Sequence, residues 1–108
     1  MTWYRKAAEQ GYPYAQNNLG ELYRDGLGVA RDYNEAVRWF RMAAENSNNF
    51  FPASSEINLG EMYEHGRGVG RDCREALRWY RLVADESFGH YSERANEALV
   101  RLRKAGYG

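Results

Sequence analysis

The sequence predicts an all-α fold, an α-solenoid of antiparallel helical hairpins with six helices in a single domain. Three observations predict it. Residues 18–45 and 58–85 are two copies of one unit, offset by 40 positions and identical at 16 of 28. Self-similarity at such a period is the mark of stacked repeats. Each copy holds two helical stripes joined by a glycine-rich turn. Fragments of the same unit flank the copies. Trp3 to Glu9 matches Trp39 to Glu45 at an offset of 36, and Ala95, Leu99, Leu102 and Gly106 fall 80 residues after Ala15, Leu19, Leu22 and Gly26. The expected organisation of the domain, residues 1–108, is a half repeat at 1–11, full repeats at 12–47 and 52–87, and a half repeat at 91–108 that caps the stack. Helices are expected over 2–10, 13–25, 33–46, 53–65, 73–86 and 91–105.

In the first helix of the first full repeat, Ala15, Leu19, Leu22 and Tyr23 recur at i, i+4, i+7 and i+8, one face of a helix. Pro13 suits its first turn, where a missing N–H costs nothing. Gly26 closes the helix by accepting a left-handed conformation, and Gly28 permits the tight connection that follows. Asp32 then caps the second helix, with Glu35 at the capping-box position. Ala36, Trp39, Phe40 and Ala43 form its buried stripe. In the second repeat Asp72 and Glu75 repeat the cap, and Ala76, Trp79, Tyr80 and Val83 repeat the stripe. Gly20 and Gly60 stand mid-helix, at a cost of roughly 1 kcal/mol each against alanine, which points to close approach by the neighbouring helix. Longer connectors are expected around Asn48 to Phe51 and around Ser87 to Tyr91.

Composition excludes several classes of function. Fifteen basic and fifteen acidic residues give a formal net charge of zero, which argues against bulk capture of nucleic acid or of an anionic membrane. A single cysteine excludes a disulfide framework and a multi-cysteine metal site. No apolar run approaches the ~20 residues of a membrane span. The N-terminal residues lack the apolar centre of a secretory signal, so a cytoplasmic location is expected.

The recurring pattern LGxxYxxGxGVxxDxxxAxxWYxxAA resembles the Sel1-like repeat, a relative of the tetratricopeptide repeat. The resemblance implies a right-handed α-solenoid that serves as a protein-interaction scaffold, with first helices lining a concave side and second helices forming the outer layer. Three departures stand out. Val100 stands where Gly20 and Gly60 do, Arg103 where Tyr23 and Tyr63 do, and Ser47 where Gly11 does. The last helix therefore reads as a cap, with Glu93, Arg94, Glu97, Arg101 and Lys104 facing water.

Catalytic and metal-binding chemistry finds little support. His65 and His90 have no second ligand at metal spacing. Cys73 lies at a helix start without a histidine base, and reads as structural. Asp32 and Asp72 recur where helices need caps. The glycine turns lack the Lys-Ser/Thr of a phosphate loop. The basic residues are 13 Arg and two Lys, and Arg38, Arg41, Arg78 and Arg81 interleave with acids, which reads as surface ion pairing rather than RNA contact. Trp3, Trp39 and Trp79 recur at stripe positions and read as core. No cofactor and no metal is expected.

The function expected is that of a non-enzymatic adaptor, binding a partner protein or peptide through the groove of the first helices. With Ala15, Leu19 and Leu22 facing inward, Asn17, Glu21 and Arg24 point the other way. Their equivalents are Ile57, Glu61 and Glu64, then Glu97, Arg101 and Lys104. Together they suggest a groove with an acidic middle and a more basic C-terminal edge. Ile57 admits two readings, an apolar anchor for a partner or packing beneath the longer connector at Phe50 and Phe51. Asn18 and Asn58 flank the groove, with hydrogen bonds to backbone the expected role. The alternative use of such a surface is a small inhibitor or immunity protein that neutralises a cognate toxin or enzyme; a hydrolase or an RNA binder fits less well. The half repeats at the ends, with Trp3 and Tyr4 partly exposed, fit either a piece of a longer solenoid or head-to-tail contact with a second copy.

Overall fold

Six helices follow one another without a strand among the described residues, which in this computed structural model are 2–46, 53–86 and 89–107. They are α1 (Thr2–Glu9), α2 (Pro13–Asp25), α3 (Tyr33–Glu45), α4 (Ala53–His65), α5 (Cys73–Glu86) and α6 (His90–Lys104). Each packs against the next in chain order, so the hairpins α2–α3 and α4–α5 stack with α1 and α6 outside them. The expected all-α solenoid is thus observed. The connector residues 47–52 and 87–88, with the readings that rest on Ser47, Phe50 and Phe51, lie outside the described residues.

The local chemistry explains the boundaries. Gly26 adopts φ 69° at the end of α2, and Leu27 N–H returns to the Leu22 carbonyl at 3.0 Å. The same bond closes α4, from Arg67 to Met62 at 2.9 Å, and α6, from Tyr107 to Leu102 at 2.9 Å. Asp32 Oδ1 accepts from Glu35 N–H at 3.1 Å, and Asp72 Oδ1 accepts from Glu75 N–H at 3.0 Å, so both act as N-caps. The return half of the expected capping box is absent. The Asp32 and Asp72 N–H groups already donate to the Tyr23 and Tyr63 carbonyls, each at 2.9 Å. Glu35 and Glu75 instead pair with Arg38 and Arg78, at 2.9 and 2.6 Å. Those two arginines also lie over the Trp39 and Trp79 rings, at 4.6 and 4.7 Å from the centroids.

The core runs along the second helices. Ala36, Trp39, Phe40 and Ala43 are buried, as are Ala76, Trp79, Tyr80 and Val83. Gly20 receives the Phe40 ring and Gly60 the Tyr80 ring, so the close approach expected at these glycines is ring on backbone within each hairpin. Trp79 clusters with Trp39, Leu59 and Met62, facing back toward the preceding repeat. In the structure α1 has no such neighbour, and Trp3 is 66% exposed. Its reading as core is therefore corrected; Trp39 and Trp79 keep theirs. Cys73 is buried at the start of α5 beside Ala98 and Leu102 of α6, as a structural role requires. No helix among the described residues is long and apolar enough to cross a membrane.

Candidate protein-binding groove

The first helices α2, α4 and α6 are joined along one side of the molecule by side-chain hydrogen bonds. Asn58 is the hub between α2 and α4. Its Nδ2 donates to Asn17 Oδ1 at 3.0 Å and to Glu21 Oε2 at 3.2 Å, while its Oδ1 accepts from Arg24 Nη1 at 3.0 Å. Asn17 Nδ2 donates onward to Ser54 Oγ at 3.2 Å. Arg24 also forks onto Asp25, at 2.9 and 3.0 Å. Asn58 thus bonds side chains of the neighbouring repeat, where sequence reasoning expects backbone partners.

Between α4 and α6 the ladder becomes ionic. Arg94 Nη2 donates to Glu61 Oε1 at 2.9 Å. Arg101 forks onto Glu64, Nε to Oε2 at 2.9 Å and Nη2 to Oε1 at 2.7 Å. The Tyr80 hydroxyl donates to the same Oε1 at 2.7 Å, which ties α5 to the network. Burial alone would push the Glu64 carboxyl up. The bonds from Arg101 and Tyr80 outweigh it and hold the group below the usual carboxylate range. Burial and the bonded carboxylate push the Tyr80 phenol well above its ordinary value, so it remains a donor.

These bonds change the picture of the eight candidate residues. Asn17, Glu64 and Ile57 are buried rather than displayed. Ile57 is 1% exposed and clusters with Ala53, Val83 and Ala95, so it sits in the core instead of on a solvated face. Glu21, Arg24, Glu61 and Arg101 hold neighbouring helices, and only Glu97 stands exposed without a bond among the described residues. The expected acidic middle is neutralised from within, because Arg94 and Arg101 reach back across it. Both were expected to face water. Their Cα positions lie on a polar helix face, but a long guanidinium side chain spans to the next helix.

What remains open lies beside the ladder. At one end a depression of about 490 Å³ is lined by Tyr14, Asn18, Glu21, Ser54 and Tyr91, among others. Tyr14 is 66% exposed and the Asn18 amide makes no hydrogen bond among the described residues. At the other end a depression of about 300 Å³ is lined by Arg24, Asp25, His65, Arg67 and Arg94. A notch of about 110 Å³ between them reaches Glu97. Sequence reasoning missed Tyr14, Tyr91 and Arg94. The signal was present for Tyr14 and Arg94, which with Ser54 share a register position at offsets of 40. Among the described residues no group of His, Cys, Asp and Glu could hold a metal ion.

Comparison with known proteins accords with this architecture. The Sel1 repeat profile matches residues 1–12, 13–48 and 53–88. The crystal structure of a Sel1 repeat protein from Oxalobacter formigenes is similar, with 40% identity and a TM-score of 0.75 over 91% of this chain and 37% of that one. A protective antigen present in uropathogenic Escherichia coli strains, which displays an SLR fold, gives 42% identity and a TM-score of 0.73 over 81% of this chain and 18% of that one. The chitin synthase regulator SKT5 of Malassezia restricta is 39% identical over 47 residues, 44% of this chain and 3% of its own length. The chain thus spans well under half the length of each of these relatives. Sel1 repeats are generally protein–protein interaction modules, and proteins built from them are typically non-enzymatic scaffolds. With a repeat profile matching most of its length and two solved SLR folds superposing on it, this chain belongs to the Sel1 repeat family.

Proposed function

We propose that the chain is a non-enzymatic adaptor that holds a segment of another protein in the groove along α2, α4 and α6. The observation that carries this reading is the ladder centred on Asn58 and Glu64. It locks three first helices at fixed spacing, and leaves exposed tyrosines and an uncommitted amide around the 490 Å³ depression. A rigid surface avoids an ordering cost on binding, and tyrosines supply large contact area with a polar tip. In this reading Asn17, Arg24, Ile57, Glu61, Glu64 and Arg101 form the frame. Tyr14, Asn18, Tyr91 and Glu97 make the contacts, and Glu21 serves both the frame and the depression it lines. The name of the fungal relative, a regulator of chitin synthase, supports a role exerted through another protein.

The test is affinity capture from the source cell's lysate, read by mass spectrometry, for the native chain and for Tyr14→Ala/Tyr91→Ala. Both side chains are exposed and lie outside the ladder, so helicity by circular dichroism should be unchanged. The expected result is a partner retained by the native chain and lost by the variant. A partner held equally by both would remove the groove from consideration. The partner's identity separates an adaptor from an inhibitor of a toxin or enzyme.

A further inference from the structure

At the turn end of the groove, the depression of about 300 Å³ is lined by Arg24 and Asp25 of α2, Glu61 and His65 of α4, Arg94 of α6, and Arg67 of the turn between α4 and α5. Its floor is the buried Met62. Arg24 directs all three nitrogens into the protein, Nε and Nη2 onto Asp25 and Nη1 onto Asn58. Arg94 commits only Nη2, to Glu61. The Arg67 guanidinium lies over the Tyr33 ring, 5.6 Å from its centroid, and has no ion-pair partner among the described residues.

Three guanidiniums thus meet two carboxylates, and both carboxylates are already paired. With His65 neutral, one positive charge is left over, at Arg67. The surroundings do not cancel it. Glu64 is forked by Arg101. Glu97 lines the neighbouring notch, beside both Arg94 and Arg101, and Glu93 lines none of the three depressions along the ladder. Asp32 and Asp72 follow Arg31 and Arg71 in the chain and cap α3 and α5. The position of Arg67 is also open whatever stacks beyond it. Leu27 is its equivalent in the first repeat, closes its helix by the same backbone bond, and is 59% exposed although a whole repeat lies beyond it.

We propose that this depression seats an aspartate or glutamate side chain of the segment held in the groove, received by the uncommitted N–H groups of Arg67 and Arg94. The inference rests on the groove reading and adds the chemistry and direction of the segment. A carboxylate brings one negative charge against one surplus positive charge, and its two oxygens suit two guanidiniums. A phosphate, with a charge of about −1.5 to −2, would exceed that surplus and press against Asp25 and Glu61. In the opposite depression Glu21 is the one charged residue of the described lining, so an acid is disfavoured there. The held segment therefore lies with its acidic residue toward the α4–α5 turn.

Two measurements test the proposal. The first is nuclear magnetic resonance of the full isotope-labelled chain, titrated with N-acetylglutamate amide, with its glutamine counterpart and with inorganic phosphate. The glutamate compound should move the Arg67 and Arg94 side-chain signals and bind at least about threefold more tightly than the glutamine compound, as one exposed charge pair allows. Arg67→Leu gives the turn the residue of the first repeat, so helicity should hold, and it should erase that preference. Arg74→Leu, which removes an exposed cation elsewhere, should leave it intact. Equal binding of the two compounds, tighter binding of phosphate at the same signals, or an Arg67→Leu chain that still prefers glutamate overturns the carboxylate seat. The second is the lysate capture, with Arg67→Leu beside Tyr14→Ala/Tyr91→Ala. Both variants should lose the partner. A partner lost by the tyrosine variant and kept by Arg67→Leu overturns the seat and leaves the groove standing. A partner kept by the tyrosine variant, with glutamate bound at Arg67, overturns the groove reading and leaves the carboxylate site standing.

Discussion

An alanine Cβ at Gly60 would stand 2.7 Å from Cε1 and 3.0 Å from Cδ1 of Tyr80. The ring cannot swing aside, because Tyr80 is buried and its hydroxyl is held by Glu64 at 2.7 Å. Helix propensity alone would credit Gly60→Ala with ~1 kcal/mol of stabilisation. Overpacking a filled site costs typically about 1–3 kcal/mol. The expected outcome is a net loss of up to ~2 kcal/mol in urea denaturation, the sign opposite to the propensity rule. A stabilised Gly60→Ala would show that the ring moves freely. The glycine was legible in the sequence as a mid-helix anomaly repeated at one register position. What sat on it was not, because the partner comes from a second helix whose rotation is set only by the assembled hairpin. Ile57 went the other way for the same reason: judged on its own helix it faces out, yet Val83 of α5 and Ala95 of α6 cover it.

At the scale of elements, Glu64 joins three helices, since it belongs to α4, accepts from Tyr80 of α5 and is forked by Arg101 of α6. Because its folded pKa lies below the ordinary value of 4.5, the charged form is favoured by folding. The resulting stability is present above that ordinary value and is lost as pH falls through the depressed folded value. Glu64→Gln should therefore cost about 1–3 kcal/mol at neutral pH, toward the lower end because Arg101 is half exposed. The deficit should shrink as pH falls below that ordinary value and through the depressed folded one, where the native carboxylate is also protonated. Urea denaturation of both chains at a series of pH values checks this; a deficit constant from neutral pH to pH ~3 would remove Glu64 as the titrating group. The helices themselves were legible to within a residue or two, because caps, closing glycines and stripes all lie within one element. The ladder between them was not. Wheel arithmetic places Asn17, Glu21 and Arg24 away from their own hairpin's core, but the next repeat lies on that side, and a single helix's period carries no record of it.

For the whole molecule, stability in a stack of repeats is a sum of each unit's own stability and its contacts with neighbours, so opening starts where neighbours are fewest. α1 has eight residues and, among the described residues, packs chiefly on α2, with Arg5 on Tyr23 and Gln16 Nε2 on the Ala8 carbonyl at 3.1 Å. α6 also has an open side, but Arg94 and Arg101 tie it to α4. α3 and α4 lie inside the stack and are flanked on both sides. Native-state hydrogen exchange should therefore rank protection as α1 lowest, α6 intermediate, and α3 with α4 highest. Arg101→Ala should drop α6 toward α1 while leaving α3 unchanged, since the bond it removes does not reach that far. Uniform protection from α1 to α6 would mean that the molecule opens in one step, and that the ladder couples all six helices rather than joining neighbours in pairs. In the graded case the groove along α2 and α4 stays formed while the ends breathe, which is what a surface that presents rigid contacts to a partner requires.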